Sequence, residues 1–133
     1  MINRSFVADK IFNDTKLLEQ VNGIIHPKVA KHFARWVTKQ DAVYCIKEAA
    51  ILFENGGYEH CDLTVLVTAP IKERVRRVLE RDNTTQKAIE ARMANQWSDS
   101  KKEKLADIII VNDDLAATQN AVEQVHKKIV SNS

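Results

Sequence analysis

Arg77 and Arg81 stand four residues apart, so on a helix this pair shares one face, and Arg74 lies one turn earlier on the same side. Arg92 and Gln96 form a second pair at the same spacing. Guanidinium forks match phosphate oxygens bidentately and stay charged at any relevant pH. Two such pairs around Arg81-Asp82-Asn83 could therefore clamp a polyphosphate. Five of the seven arginines lie between Arg74 and Arg92, and residues 70–104 hold 10 Lys/Arg against 6 Asp/Glu, a local +4 within a chain of net charge +2. A concentration of this kind marks an anion site, and it equally suits a helix face turned to water.

The other candidates are single residues. His26-Pro27 falls where a helix could start, so the imidazole could meet a ligand or serve as a structural cap. His32, His60 and His126 are scattered, with no second histidine at metal spacing. Lys47-Glu48 follows directly on the apolar run Ala42-Val43-Tyr44-Cys45-Ile46. Ligands of parallel sheets bind at the carboxyl ends of strands, where a carboxylate suits Mg²⁺ through water or a substrate hydroxyl. A plain surface pair at a strand end explains the same residues. Glu54 ends the run Ala49-Ala50-Ile51-Leu52-Phe53 and suits a turn cap. Gly23, Gly56 and Gly57 are the only glycines, so the chain contains no G-x-x-x-x-G-K-S/T loop. Cys45 and Cys61 form no CxxC, and MINRSFVADK lacks the apolar stretch of a signal peptide. Both features predict a reducing, cytoplasmic setting.

These residues need elements to hold them. Ala42–Ile46, Leu63–Val67 and Ile108–Val111 are short continuous apolar runs, the pattern of strands covered on both faces in a parallel sheet. Asp14 predicts the cap of a short helix carrying Leu17, Leu18 and Val21, which Gly23 ends. His26-Pro27 then opens a second helix with Val29, Phe33, Trp36 and Val37 on its apolar face. Pro70 starts a helix with Ile71, Val75, Val78 and Leu79 inward, and Thr84 or Thr85 caps the next, which carries Ala88, Ile89 and Met93. Asp99 caps a short turn into Leu105, and the last helix runs from about Leu115 to Val130, with Val122, Val125 and Ile129 on one face. Alternating strands and helices predict a parallel α/β sheet with right-handed crossovers. Residues 70–105 are too long for a simple crossover and read as a lid.

With 133 residues, 44% hydrophobic and 29% charged, the chain reads as one domain, without linker or internal repeat. Gly 3 and Pro 2 exclude collagen-like chains and argue against a turn-rich all-β fold. No apolar run approaches a membrane span, and the small net charge excludes a polybasic nucleic-acid binder.

In this order the motifs resemble the dephospho-coenzyme A kinase family. The resemblance begins at Asn3-Arg4 and Phe12-Asn13-Asp14 and continues through Leu17-Leu18, Asn22, Ile25 and His26-Pro27. Glu48-Ala49-Ala50-Ile51-Leu52-Phe53-Glu54 is similar to the family's acidic-x-Pro-Leu-Leu-Phe-Glu, with Ala50 where most members have proline. Asp62 through Val67, Pro70, Arg77 and Arg81-Asp82 resemble the strand and arginine helix leading into its lid. Arg92 with Gln96 resembles Arg-x-x-x-Gln, and Ala106-Asp107 with Asn112 resembles the closing Ala-Asp-x-x-Ile-x-Asn.

The resemblance implies a P-loop-kinase-like, three-layer α/β fold. Residues 1–40 are then a helical coenzyme-binding part and 70–105 the lid, while the family's first strand and Gly-rich loop precede this sequence. It implies ATP and Mg²⁺ in the complete enzyme, and transfer of the γ-phosphate to the ribose 3′-hydroxyl of dephospho-coenzyme A. Arg81 and Arg92 fall at catalytic lid positions, His26, Glu48 and Glu54 at substrate-binding positions, and Gln96 and Asn112 at nucleotide positions; no protein metal ligand is implied. This chain alone is expected to be inactive or weakly active, and to self-associate through strand edges left without the missing strand. Two other readings stay open: another nucleoside monophosphate kinase, or a non-catalytic module that binds a nucleotide or a partner.

Overall fold

The computed structural model describes residues 3, 6, 7, 10 and 14–131. Arg4, Phe12 and Asn13, at the start of the family resemblance, lie outside the described residues. The chain divides into two compact units, Met1–Cys45 and Ile46–Ser133.

The first unit carries helix α1, Thr15–Val37. Asp14 caps it as its residue type predicts, with the Leu17 N–H donating to Asp14 Oδ1 at 3.0 Å. The two helices expected here are one. Pro27 lies inside α1 and Gly23 does not end it. Proline removes one helical donor and crowds the carbonyl four residues back. That carbonyl belongs to Gly23, the residue type whose backbone yields most easily, so the helix continues through both. His26 is accordingly a half-buried mid-helix residue rather than a helix-start residue. At the C-terminal end Phe33 and Trp36 stack with centroids 5.7 Å apart, and Gln40 Nε2 donates to the Trp36 carbonyl at 2.8 Å.

The second unit is α/β. A 3₁₀ turn at Gly57–His60 leads into β1, Val65–Thr68. Three helices follow: α2, Ile71–Arg81; α3, Gln86–Ala94; and α4, Asp99–Glu103. Strand β2, Ile108–Val111, then runs parallel to β1 in the register Val65↔Ile108 to Thr68↔Val111, and α5, Leu115–Ser131, packs on β2. Parallel neighbours need a crossover, and here α2–α4 form it. The buried apolar residues are Phe53, Leu66, Ala69, Ile89 and Ile110.

Several expectations need correction. Residues 42–46 form no strand: Val43 is 64% and Ile46 76% exposed, and only β1 and β2 pair among the described residues. An apolar β-branched run becomes a strand only where a neighbouring backbone completes its ladder. The sheet is also not covered on both faces. Leu66 and Ile110 are buried while their neighbours Val67 and Ile109 face solvent, so burial alternates as on a one-sided sheet. Ile71 and Leu79 are exposed on α2, and on α5 the inward residues are Thr118, Ala121, Val125 and Ile129, with Val122 outside. Ser98, not Asp99, occupies the N-cap of α4. Thr85 caps α3, and Asp114 caps α5 through the Ala117 N–H at 2.8 Å. Among the described residues no helix is long and apolar enough to cross a membrane.

A side-chain clasp sets the strand register. The Thr64 N–H and hydroxyl both donate to Asp107 Oδ2, at 2.7 and 2.6 Å, and the Asp107 N–H returns a bond to Thr64 Oγ1 at 3.1 Å. The first ladder bond follows at once, from the Ile108 N–H to the Thr64 carbonyl at 3.1 Å. The bond from the Thr64 hydroxyl, helped by its N–H, holds the Asp107 carboxyl below the usual carboxylate range. A depressed carboxyl stabilises the fold above its unfolded pKa of about 3.9, and that contribution disappears as pH falls through the lower folded value. Asp107→Asn should therefore flatten the acid limb of a melting-temperature-against-pH curve while leaving its shape near neutrality unchanged. Thr64, 4% exposed, loses a buried hydroxyl bond in Thr64→Val, which should cost about 1–2 kcal/mol in urea unfolding.

Candidate functional site

The arginines do different jobs. Arg77 Nη1 donates to the Asn112 carbonyl at 2.7 Å and its Nε to Glu73 at 2.9 Å, so it braces α2 against the end of β2. Arg76 and Arg77 together hold the Glu73 carboxyl down to about 2, chiefly through the Arg76 hydrogen bond. Arg74 forks onto Asp99, with Nη2 to Oδ2 at 2.7 Å and Nη1 to Oδ1 at 3.3 Å, and so ties α2 to α4. The face expected to carry three ligand-binding arginines thus spends Arg77, and most of Arg74, on its own architecture.

Arg81 and Arg92 have no such tie to another element among the described residues. The buried Ile89 packs α3 against α2, and this brings Arg74, Val78, Arg81, Arg92, Met93 and Gln96 around one hollow of about 190 Å³. Arg81 is 74% exposed, and its fork rests on Asp82, with Nε to Oδ1 at 2.8 Å and Nη2 to Oδ2 at 3.1 Å. Gln96 lies just past the end of α3, its N–H donating to the Met93 carbonyl at 3.0 Å, and Arg92 is one turn earlier. Two guanidiniums and a carboxamide, beside the Asp99-tied Arg74 and on apolar walls, are groups whose chemistry could meet a flexible multivalent anion.

Glu54 is built into the base of this helical excursion. Its Oε1 accepts from the Trp97 N–H at 2.8 Å and from Lys102 Nζ at 3.0 Å, and both charged side chains are nearly buried. Burial pushes the Glu54 carboxyl up, and the Lys102 ammonium with the Trp97 N–H outweighs it, leaving the group below the usual range. Its Oε2 is buried and accepts no hydrogen bond among the described residues. Beside it the Lys101 ammonium sits 3.3 Å from the centroid of the Trp97 ring.

The remaining candidates lie elsewhere. Glu48 is exposed in a stretch without regular structure, so it does not stand at a strand end. Asn112 follows β2 directly, with its N–H on the Thr68 carbonyl at 2.7 Å and its Oδ1 accepting from Thr118 Oγ1 at 3.2 Å. His26 belongs to the first unit. Among the described residues no three His, Cys, Asp or Glu side chains are placed to hold a metal ion. Sequence reasoning missed Lys102, hidden in the run Lys101-Lys102-Glu103-Lys104, which reads as a solvated face. It also read Asp99 as a cap when the carboxylate is spent on Arg74.

A family model described as dephospho-CoA kinase matches residues 1–118. A dephospho-CoA kinase of Bacteroides fragilis is 39% identical over 113 residues, covering 84% of this chain and 55% of that protein. One of Salinibacter ruber is 36% identical over 115 residues, covering 84% and 58%. The chain thus spans little more than half the length of these relatives. A crystal structure of a Thermus thermophilus protein superposes with a TM-score of 0.84 at 27% identity, over 98% of this chain and 66% of that one. A dephospho-CoA kinase from Campylobacter jejuni, at 24% identity and TM-score 0.64, shares the fold over 99% of this chain and 68% of its own.

The buried Glu54–Lys102 pair is a direct test of the site's frame. Removing one partner strands the other charge, so Glu54→Ala should cost about 3 kcal/mol in urea unfolding. The double variant Glu54→Gln/Lys102→Met leaves no stranded charge and should recover most of that loss.

Proposed function

The chain belongs to the dephospho-CoA kinase family, and from that premise we propose that it is the coenzyme-binding and lid portion of an enzyme that moves the γ-phosphate of ATP to the ribose 3′-hydroxyl of dephospho-coenzyme A. The observation that carries the reading is the convergence of Arg81, Arg92 and Gln96 on one hollow within the family-matched residues. Phosphoryl transfer needs little covalent help from protein; it needs reactants in line and charge met as it develops. Arg81 and Arg92 would grip oxygens of the ATP phosphates and offset charge on the transferring group, and the Gln96 carboxamide would donate a further hydrogen bond. Mg²⁺, when bound, would supply further neutralisation of phosphate charge.

The other residues take roles consistent with their surroundings. His26, half-buried on α1, would contact the coenzyme. Glu48 has its exposed carboxylate available to a substrate hydroxyl. Glu54 Oε2, buried and without a hydrogen-bond partner among the described residues, would accept from a substrate that reaches it. Asn112 would face the nucleotide from the end of β2. We read residues 1–133 as one functional domain, with 1–40 on the coenzyme and 70–105 as the lid. Because these 133 residues hold no G-x-x-x-x-G-K-S/T loop, they lack a backbone cradle for phosphates, and their own turnover should be slight.

A fusion of the N-terminal part of the Bacteroides fragilis relative to this chain tests the proposal. The fusion should form ADP in the presence of ATP and dephospho-coenzyme A, while this chain alone should bind the coenzyme weakly and form almost none. In the fusion, Arg81→Ala or Arg92→Ala should lower kcat about 100-fold, and raise KM for dephospho-coenzyme A far less. Wild-type turnover in both variants would return the arginines to a solvated helix face. A well-folded fusion that binds neither substrate would favour a non-catalytic module.

A further inference from the structure

We propose that Asp82 is a built-in stand-in for phosphate: its carboxylate occupies the guanidinium fork of Arg81 until a polyphosphate displaces it. The inference rests on the reading of the arginine hollow as a phosphate site, and it concerns how that site discriminates between anions.

Three arginines line the hollow, and the two carboxylates that answer them are held differently. Asp99 pairs with Arg74 across two helices, each side chain about one-third exposed, so that pair belongs to the frame. Asp82 is the residue next to Arg81, at the end of α2. Its backbone is fixed on both sides: its N–H donates to the Val78 carbonyl at 2.9 Å, and its own carbonyl accepts from the Thr84 N–H at 2.9 Å. Its side chain, by contrast, bonds only Arg81 among the described residues, at 2.8 and 3.1 Å. Two parallel bonds from one guanidinium to two oxygens are the arrangement a phosphate would take.

The fixed backbone keeps the carboxylate next to Arg81 at negligible entropic cost. The exposure of Arg81, 74%, keeps the pair weak enough to exchange. Arg92 adds its field to the same carboxylate, which the Arg81 hydrogen bond already holds below the usual range. One carboxylate thus screens both arginines of the hollow that have no partner on another element among the described residues. A single weak anion gains little by replacing it, whereas a polyphosphate brings several charges to Arg81 and Arg92 together. The pair therefore sets a charge threshold for entry.

Isothermal titration of inorganic tripolyphosphate at low ionic strength, without divalent cations, tests this on the 133-residue chain. Three forms are compared: wild type, Asp82→Asn and Arg81→Ala/Arg92→Ala. Wild type should bind, the double variant should not, and Asp82→Asn should bind about fivefold tighter, the size of one exposed ion pair released. Asp82→Ser should shift affinity the same way, and circular dichroism verifies that each variant keeps its helices. Wild-type binding with Asp82→Asn unchanged or weaker would overturn the stand-in role and leave the arginine site standing. No binding by wild type or Asp82→Asn would overturn both.

Discussion

The parallel pairing of β1 with β2 is the constraint on which the second unit depends, and Thr64 and Asp107 close it. Between these two residues the chain leaves the sheet, builds three helices and returns. A long excursion is entropically cheap to extend but needs a defined base if its tip is to be placed. The clasp gives that base a fixed register, and the Glu54 carboxylate adds a second tie where α3 ends, through the Trp97 N–H and Lys102. Gln96 is the residue immediately before that tie, so its position follows from the base rather than from its own contacts.

Charge in the helical excursion is divided between frame and site. Arg77 and Arg74 each end on a partner from another element, the Asn112 carbonyl and Asp99. Among the described residues Arg81 pairs only with its chain neighbour, and Arg92 faces the same hollow. A guanidinium whose hydrogen bonds are taken by distant backbone or another helix is costly to redirect, while one held by an exposed neighbour is not. Position along α2 thus separates the two arginines tied to other elements from Arg81, which rests on its exposed chain neighbour.

Much of this was legible in the sequence, and the rest failed for identifiable reasons. Local signals worked where the cause was local: Asp14 and Thr85 as caps, Pro70 before α2, and Ile108–Val111 as a strand. The family resemblance rested on ordered motifs, and the match over residues 1–118 bears it out. Failure came where the outcome was set by something distant. Pro27 reads as a helix start, whereas α1 runs through it, with Gly23 four residues earlier where the ring crowds the helix. Residues 42–46 have strand composition without a ladder partner. Arg74, Arg77 and Arg81 have the spacing of one face, but which of them are consumed by Asp99 and Asn112 depends on residues at least 25 positions away. The burial of Lys102 within a charge run has no local signature at all.

The Lys101 ammonium over the indole of Trp97 gives the molecule an optical handle. Trp97 is tied to Glu54 through its own amide, and Trp36, the other tryptophan, lies in the first unit. A cation held against an indole face perturbs the ring's excited state as well as its ground-state energy. Emission from Trp97 therefore carries information about the joint where the arginine-bearing helices return to the sheet. In a Trp36→Phe background that joint could be followed in real time, without any attached dye, while an anion is titrated in.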